Sequence, residues 1–382
     1  MVGPLLGLTA VTHCQSNPID TNSGSQSNRQ RVVNIVNKLQ LRFVTKLQEL
    51  DSNKEKSFYP ISWLRDDGLH GGGTRYQSPL KSNVFKQATV NVSSVYYDDV
   101  SKYPIDSATA LSVIIHPKHP YAPSMHFHIS YTEPRKGKAY WRLIADLNPA
   151  IPLVEDKEAF SSAIQNVQYI SKELYSDSEI FGNKYFYIPS LGRHRGIYHM
   201  FVGKLDEDEI CFDDSCDLAI DLAEKAVTTY AMLVEKAILK YPDISKEDLD
   251  QQIAYHTLYL YQVLTLDRGT THGLMAHNQN DVGTLGSLPP VIDIELLEHW
   301  MKRTPTPQNI LLKKVLDIIP MNGEINDNTK SQLANILRIH YKSNIEARKN
   351  QADLDLQWWA ERTKLRLVSD NGFHFKSTTL PW

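Results

Sequence analysis

Four stretches with a period of two follow one another between residues 84 and 147. They read "VFKQATVNVSSVYY" (84–97), "ATALSVIIH" (108–116), "MHFHISYT" (125–132) and "AYWRLIADL" (139–147). β-Branched and aromatic residues dominate them, and short links with Pro, Lys and Gly separate them. Links this short do not carry a crossover, so the four predict an antiparallel meander. Shorter strands are expected at 184–188 and 196–203. Helical spacing frames this block. Residues 30–50 place Val32, Val36, Leu39, Phe43, Leu47 and Leu50 at steps of three and four. Residues 217–240 read as a long helix, and Ser245 with Asp248 three later forms a capping-box pattern. The "TLYLYQVLTL" that ends this segment has strand-like composition, so Asp267 is expected to close an apolar strand. Helices are expected at 292–303, 309–318 and 328–350, followed by "DLDLQWWAERTKL". The fold class is therefore α+β, with a large antiparallel sheet flanked by helices.

A chain of 382 residues with 41% hydrophobic residues has ample mass for a core. Its formal net charge of -3 offers no attraction to nucleic acid or anionic membranes. Three cysteines, Cys14, Cys211 and Cys216, are too few and too oddly spaced for a disulfide framework or a zinc knuckle. They fit a reducing, cytoplasmic setting. No segment is apolar enough to span a membrane. Residues 1–29 are nearly free of apolar side chains after a short initial run and read as a disordered leader, with a degenerate targeting signal as the alternative.

Three stretches carry candidate chemistry. "DDGLHGGGTRY" (66–76) concentrates glycine, with Gly71, Gly72 and Gly73 in a row. It lacks the spacing of a dinucleotide fingerprint and the Gly-Lys-Ser/Thr of a P-loop. It is either a flexible turn or a backbone left bare for a bulky ligand. "LTLDRGTTHGL" (264–274) sets Asp267 beside Arg268, a plain polar pair or a poised proton acceptor. Third, His126 and His128 are two apart and share a strand face, with Glu133 five further on. Satisfied structural histidines are one reading. A metal site of the cupin type, using His126, His128 and Glu133, is the other.

Together these stretches resemble the oxygen-dependent coproporphyrinogen III oxidases. Trp63-x-Arg65 and Gly71–Gly73 precede a strand with Asn91 and Ser93. "HPKHPYAPSMH" runs from His116 to His126, and "DLNP" from Asp146 to Pro149. Arg195-Gly196 and Asp267-Arg268-Gly269-Thr270 follow in order, then Gly273-Leu274 and Ser287 to Pro290. The resemblance covers roughly residues 60–290. It implies a catalytic domain over 30–292, a helical extension over 293–382 and a homodimer. It also implies a reaction with no metal or organic cofactor and with O2 as co-substrate. The small-molecule substrate is an electron-rich pyrrole whose propionate arm loses CO2. Asp267 is then the base, with Arg268 and His126 beside it, and Arg65 and Arg268 bind carboxylate. The glycines admit a flat substrate. Asn91, Ser93, His116, His128, Asp146, Arg195, Gly269, Thr270 and His272 complete the pocket.

Departures from the family pattern are as informative. After its second histidine the family has His-x-Asn-x-Arg, whereas this chain has His126-x-His128-x-Ser130. An arginine-rich run of the family falls on "YHTLY", Tyr255 to Tyr259. Two family histidines fall on Ser161 and Ser190, and a phenylalanine on His272. Each lost charge-assisted hydrogen bond is worth ~1.5–3 kcal/mol. Arg75, Arg142 and Lys86 are the candidates to restore cations. The departures point to a substrate diverged from coproporphyrinogen III, with the authentic substrate as one alternative and a non-catalytic tetrapyrrole-binding relative as another.

Overall fold

The period-two stretches become strands because one side of each is apolar and is buried by helices. A computed structural model describes residues 27–51, 57–100, 103–276, 281–349 and 351. In it β1 (Tyr59–Leu64), β2 (Gly71–Gln77), β3 (Phe85–Tyr96), β4 (Ile105–Pro117), β5 (Ser124–Pro134) and β6 (Tyr140–Asn148) pair in chain order. A two-residue ribbon, β7 (Tyr187–Ile188) with β8 (Arg193–His194), follows. The outermost strand of the sheet, β9 (Tyr198–Asp206), then pairs with β6. All seven strands of the main sheet are antiparallel to their neighbours.

Alternation gives this sheet two unlike faces. Val90, Val92, Leu111, Val113, Ile115, Phe127 and Ile129 lie on one face and are buried. They share a core with α1 (Asn28–Leu50) and α4 (Phe212–Lys240). Ser27 caps α1, accepting from the Gln30 N–H, so the helix begins inside the stretch assigned to the leader. Residues 1–26 of that stretch, and the "DLDLQWWAERTKL" segment, lie outside the described residues. On the other face stand Asn91, Ser93, Ser112, His126, His128, Ser130, Arg142 and Asp146, joined by the registered pairs Asn91↔Ser112↔His128, Ser130↔Arg142 and His126↔Asp146. Most large apolar side chains of the central strands thus turn toward α1 and α4, with Ile114 and Ile144 on the polar face.

One of the remaining helices returns to the apolar face, and others cover the polar face. α2 (Val154–Gln165) joins the α1–α4 side, and Phe160 from it is buried there. α3 (Lys172–Tyr185) crosses β9 on the opposite face, so of the strand expected at 184–188 only Tyr187–Ile188 forms, as β7. α5 (Lys246–Thr265) begins with the expected Ser245–Asp248 capping box. It continues as helix through the segment with strand-like composition. Every residue from Tyr255 to Thr265 is buried, and a helix enclosed on all sides has no exposed polar face to mark a 3.6-residue period. Asp267 therefore follows a helix, not a strand. α6 (Arg268–Ala276), α7 (Asp281–Thr284), α8 (Ile294–Met301), α9 (Gln308–Leu316), α10 (Asp327–Ser343) and α11 (Ile345–Lys349) complete the chain.

A second hydrophobic cluster joins Tyr259, Leu260 and Leu264 of α5 to Leu297, Leu311, Leu333, Leu337 and Tyr341. The helices beyond residue 292 thus share a core with α5. No described helix is long and apolar enough to cross a membrane.

Candidate active site

β6 delivers Asp146 to the polar face with none of its surface exposed. Burial alone would raise its carboxyl, but the neighbouring His126 and Arg195 hold it well below the usual carboxylate range. His126 Nδ1 lies 3.0 Å from Asp146 Oδ1, and Arg195 Nη2 pairs with Asp146 Oδ2. Arg195 Nη1 also donates to Gln262 Oε1 at 2.8 Å, and Asn148 Nδ2 donates to Asp146 Oδ2 at 3.1 Å. The donors of Arg195 are thus committed inside the protein. Arg195 and Asp146 were expected to bind substrate; they satisfy each other instead, as a buried pair must.

Asp267 sits in the turn between α5 and α6. Its backbone N–H donates to Gln262 O at 3.0 Å. Oδ2 accepts from Thr270 N at 2.8 Å and Thr270 Oγ1 at 2.6 Å, the arrangement of a helix cap. Oδ1 accepts from the Tyr185 hydroxyl at 2.8 Å. Burial, then the Asp267 carboxylate, push the Tyr185 hydroxyl well above its ordinary pKa, so it remains a donor.

The next residue, Phe186, ties this turn to the Asp146 cluster. Its ring lies 4.4 Å from Arg195 Cζ, meets the His126 ring edge-on at 6.1 Å and stacks on His199 at 5.1 Å. Two consecutive residues at the end of α3 therefore join a carboxylate on the helical side to the histidines on the sheet.

His128 stands one alternation along β5 from His126. Its Nδ1 is engaged by Ser112 Oγ at 2.7 Å. Burial, then His126 and Arg142, lower its pKa to about 3, so it is neutral. His272 lies exposed on α6; partial desolvation, then the charges of Arg142 and Arg268, lower its pKa as well. Gly269 is exposed in the same turn. These placements gather Asp267, Arg268, Thr270, His126, His128 and His272 around one stretch of the polar face.

Other expected residues lie elsewhere. His116 is fully buried at the end of β4, held by Ser124 Oγ at 2.9 Å and Ser287 O at 3.1 Å, and burial lowers its pKa to about 3. Asn91 and Ser93 are on the polar face of β3, two strands from His128. Arg65 lies just beyond β1, paired with Asp66 at 3.3 Å. Four strand spacings separate it from β5, about 19 Å. It is not a neighbour of Asp267.

The glycine run lies inside β2 rather than before a strand. A Cβ on Gly71, Gly72 or Gly73 would sit 2.2 Å from Ser94 O, 2.3 Å from Trp63 O and 2.2 Å from Val92 O respectively. On Gly73 it would also meet Trp63 Nε1 at 2.8 Å. The space freed by the missing side chains is filled by neighbouring strands and by the Trp63 indole. A bare wall for a ligand is thus not what the glycines make.

Nor do the three residues of the metal reading meet. Glu133 lies on the opposite face of β5 from His126 and His128, and five to seven residues of strand put it about 17–23 Å away. It is taken by Arg29 Nε at 3.0 Å and by the Ser107 hydroxyl. Among the described residues no cluster of three or more His, Cys, Asp or Glu side chains suits a metal ion.

Tyr185, Phe186 and Gln262 escaped the sequence reading. No motif marks them, since each acts through a tertiary neighbour. A cavity of about 330 Å³ is lined by Arg195 together with Pro149, Pro152, Arg193 and Tyr255. None of Asp267, His128 or Arg142 lines it.

Residues 31–317 match the protein family described as Coproporphyrinogen III oxidase. The chain is 26% identical over 300 residues to the oxygen-dependent coproporphyrinogen-III oxidase of Prochlorococcus marinus (strain MIT 9515), across 69% of this chain and 85% of that protein. It is 25% identical over 301 residues to the protein of the same name from strain MIT 9301, across 70% of this chain and 85% of that one.

Proposed function

Because the chain belongs to the coproporphyrinogen III oxidase family, we propose that it is an oxygen-dependent oxidative decarboxylase of a pyrrole bearing propionate arms. The observation that carries this reading is the Tyr185–Asp267 contact, continued through Phe186 to the histidines of the sheet. A fixed carboxylate is thereby set against a polar floor with nearby guanidinium groups.

In this reading Asp267 accepts the pyrrole N–H. Tyr185 and Thr270 hold its oxygens in place, so no reorientation is needed when the proton moves. Removing that proton makes the ring a better electron donor to O2. The propionate arm then loses CO2 from one carbon and a proton with two electrons from the next, leaving a vinyl group, while O2 takes the two electrons and two protons and leaves as H2O2. Arg268 and the cations of the floor bind the carboxylates that remain. Direct reaction with O2, without a resident cofactor, belongs to the same proposal, as do a homodimer and a cytoplasmic setting. The altered positions His128, Ser130 and Tyr255–Tyr259 support a substrate that differs from coproporphyrinogen III in its carboxylate pattern.

The deciding experiment is incubation with coproporphyrinogen III under air and under argon, reading CO2 and vinyl product. Oxygen-dependent product that disappears in Asp267→Ala supports the reading. Binding without turnover in the wild type would instead mark a non-catalytic tetrapyrrole binder. Light scattering of the purified protein tests the dimer, and elemental analysis tests the absence of metal.

A further inference from the structure

Arg142 projects from β6 onto the polar face. It stands directly across from Ser130 of β5 in the strand register. Ser130 is the position at which the resembled His-x-Asn-x-Arg pattern carries arginine. Side chains directly opposite in an antiparallel pair start about 5 Å apart. A guanidinium lost from β5 therefore reappears on β6 within reach of the same patch of floor.

The surroundings of Arg142 suit a ligand. It is half-buried, and among the described residues no carboxylate pairs with it. Its Nε reaches Gly203 O at 3.4 Å, which is long for a hydrogen bond, and its Cζ lies 5.9 Å from the Tyr140 ring centre. A guanidinium carries five N–H donors in a fork that matches a carboxylate. Asp146, two alternations along β6 on the same face, shows the contrast, since it takes the charge of Arg195. Three elements converge on Arg142: its charge is felt by His128 of β5, by Tyr185 at the end of α3 and by His272 of α6. Arg268 acts on the same His272. Asp267, bonded to Tyr185, is one residue further.

We propose that Arg142 is a specificity-determining residue of this cleft: from the sheet side it binds one alkyl carboxylate of the substrate, in place of an arginine at position 130. The inference rests on the oxidase reading above, and it names the group that selects the substrate.

The test uses the full chain and coproporphyrin III, the oxidised tetracarboxylate that the enzyme cannot decarboxylate, with binding followed by fluorescence. Arg142→Gln is expected to weaken binding about tenfold or more, the loss of one charge-assisted bidentate contact. The tetramethyl ester should bind wild type and variant alike. Adding Ser130→Arg to Arg142→Gln should restore affinity to within about threefold of wild type, because it returns the fork to the same patch. If Arg142→Gln does not fold, Arg142→Lys carries the test: charge is kept, the fork is lost, and binding should weaken about threefold or more. Equal binding by wild type and the single variant, or no recovery in the double variant, overturns the proposal. A wild type that does not bind the tetracarboxylate overturns this inference, whereas O2-dependent CO2 release is read separately and bears on the oxidase reading alone.

Discussion

The Tyr185 hydroxyl donates a 2.8 Å hydrogen bond to Asp267 Oδ1, joining the last turn of α3 to the turn between α5 and α6. The two residues are 82 positions apart, and the contact orients the carboxylate assigned as base. Tyr185→Phe keeps the ring and removes the donor. It should lower kcat with little change in KM, and cost about 1.5–3 kcal/mol of stability, as for a hydrogen bond to a charged group. Asp267→Ala should lower kcat/KM by about a hundredfold or more, the range of a lost general base. Steady-state rates and urea melts of both variants check this. A Tyr185→Phe enzyme with wild-type kcat would show that the contact is only structural.

The Tyr341 hydroxyl lies 2.8 Å from Leu264 O and 3.0 Å from Thr265 O, and Gln351 Nε2 donates to Thr271 Oγ1 at 2.7 Å. The C-terminal helices thus brace the turn that carries Asp267. Tyr341→Phe should leave the carbonyls at the α5 terminus without their buried donor, at a cost of about 1–3 kcal/mol. Amide exchange should quicken over residues 264–271, and kcat should fall more than affinity. Exchange unchanged in that window would argue against the brace.

Gly73→Ala places a Cβ 2.2 Å from Val92 O and 2.8 Å from Trp63 Nε1. Overpacking of this kind costs about 1–3 kcal/mol or more. The expected signature is a lower melting temperature and a shifted Trp emission, with ligand affinity of the folded fraction intact. Lost affinity at unchanged stability would instead return the glycines to the ligand wall.

Acid should weaken the fold earlier than carboxylate titration predicts. His116 and His199 are buried, and burial lowers each to about 3 from the usual 6.5. Between those values the unfolded chain binds protons that the folded chain refuses. Their contribution is complete above about pH 6.5 and declines as pH falls, by up to about 1.4 kcal/mol per pH unit for each. Urea midpoints at pH 7.5, 6 and 5 measure the slope. His116→Gln should flatten it, and an unchanged slope would exclude His116 as a source.

Much of the sheet was legible because it obeys local rules. Phe127 and Ile129 alternate with His126, His128 and Ser130, and no packing partner is needed to read that alternation. The Ser245–Asp248 cap was equally plain. The end of α5 was not, because Tyr255 to Thr265 are buried on every side and show no helical period. The hairpin of β1 and β2 was hidden by its glycines, which look like a loop until Trp63 is seen lying against Gly73.

Residue order alone determined the unlike faces of the sheet, the cap of α5 and the motifs of the family, since each depends on spacing within one segment. Tertiary structure decided which polar residues became a site. It buried Arg195 against Asp146, carried Arg65 four strands away and sent Glu133 to the other face. It also brought Tyr185 to Asp267 and Arg142 opposite Ser130. The physical reason is that a charge takes its role from the partner beside it, and those partners lie tens of residues away along the chain.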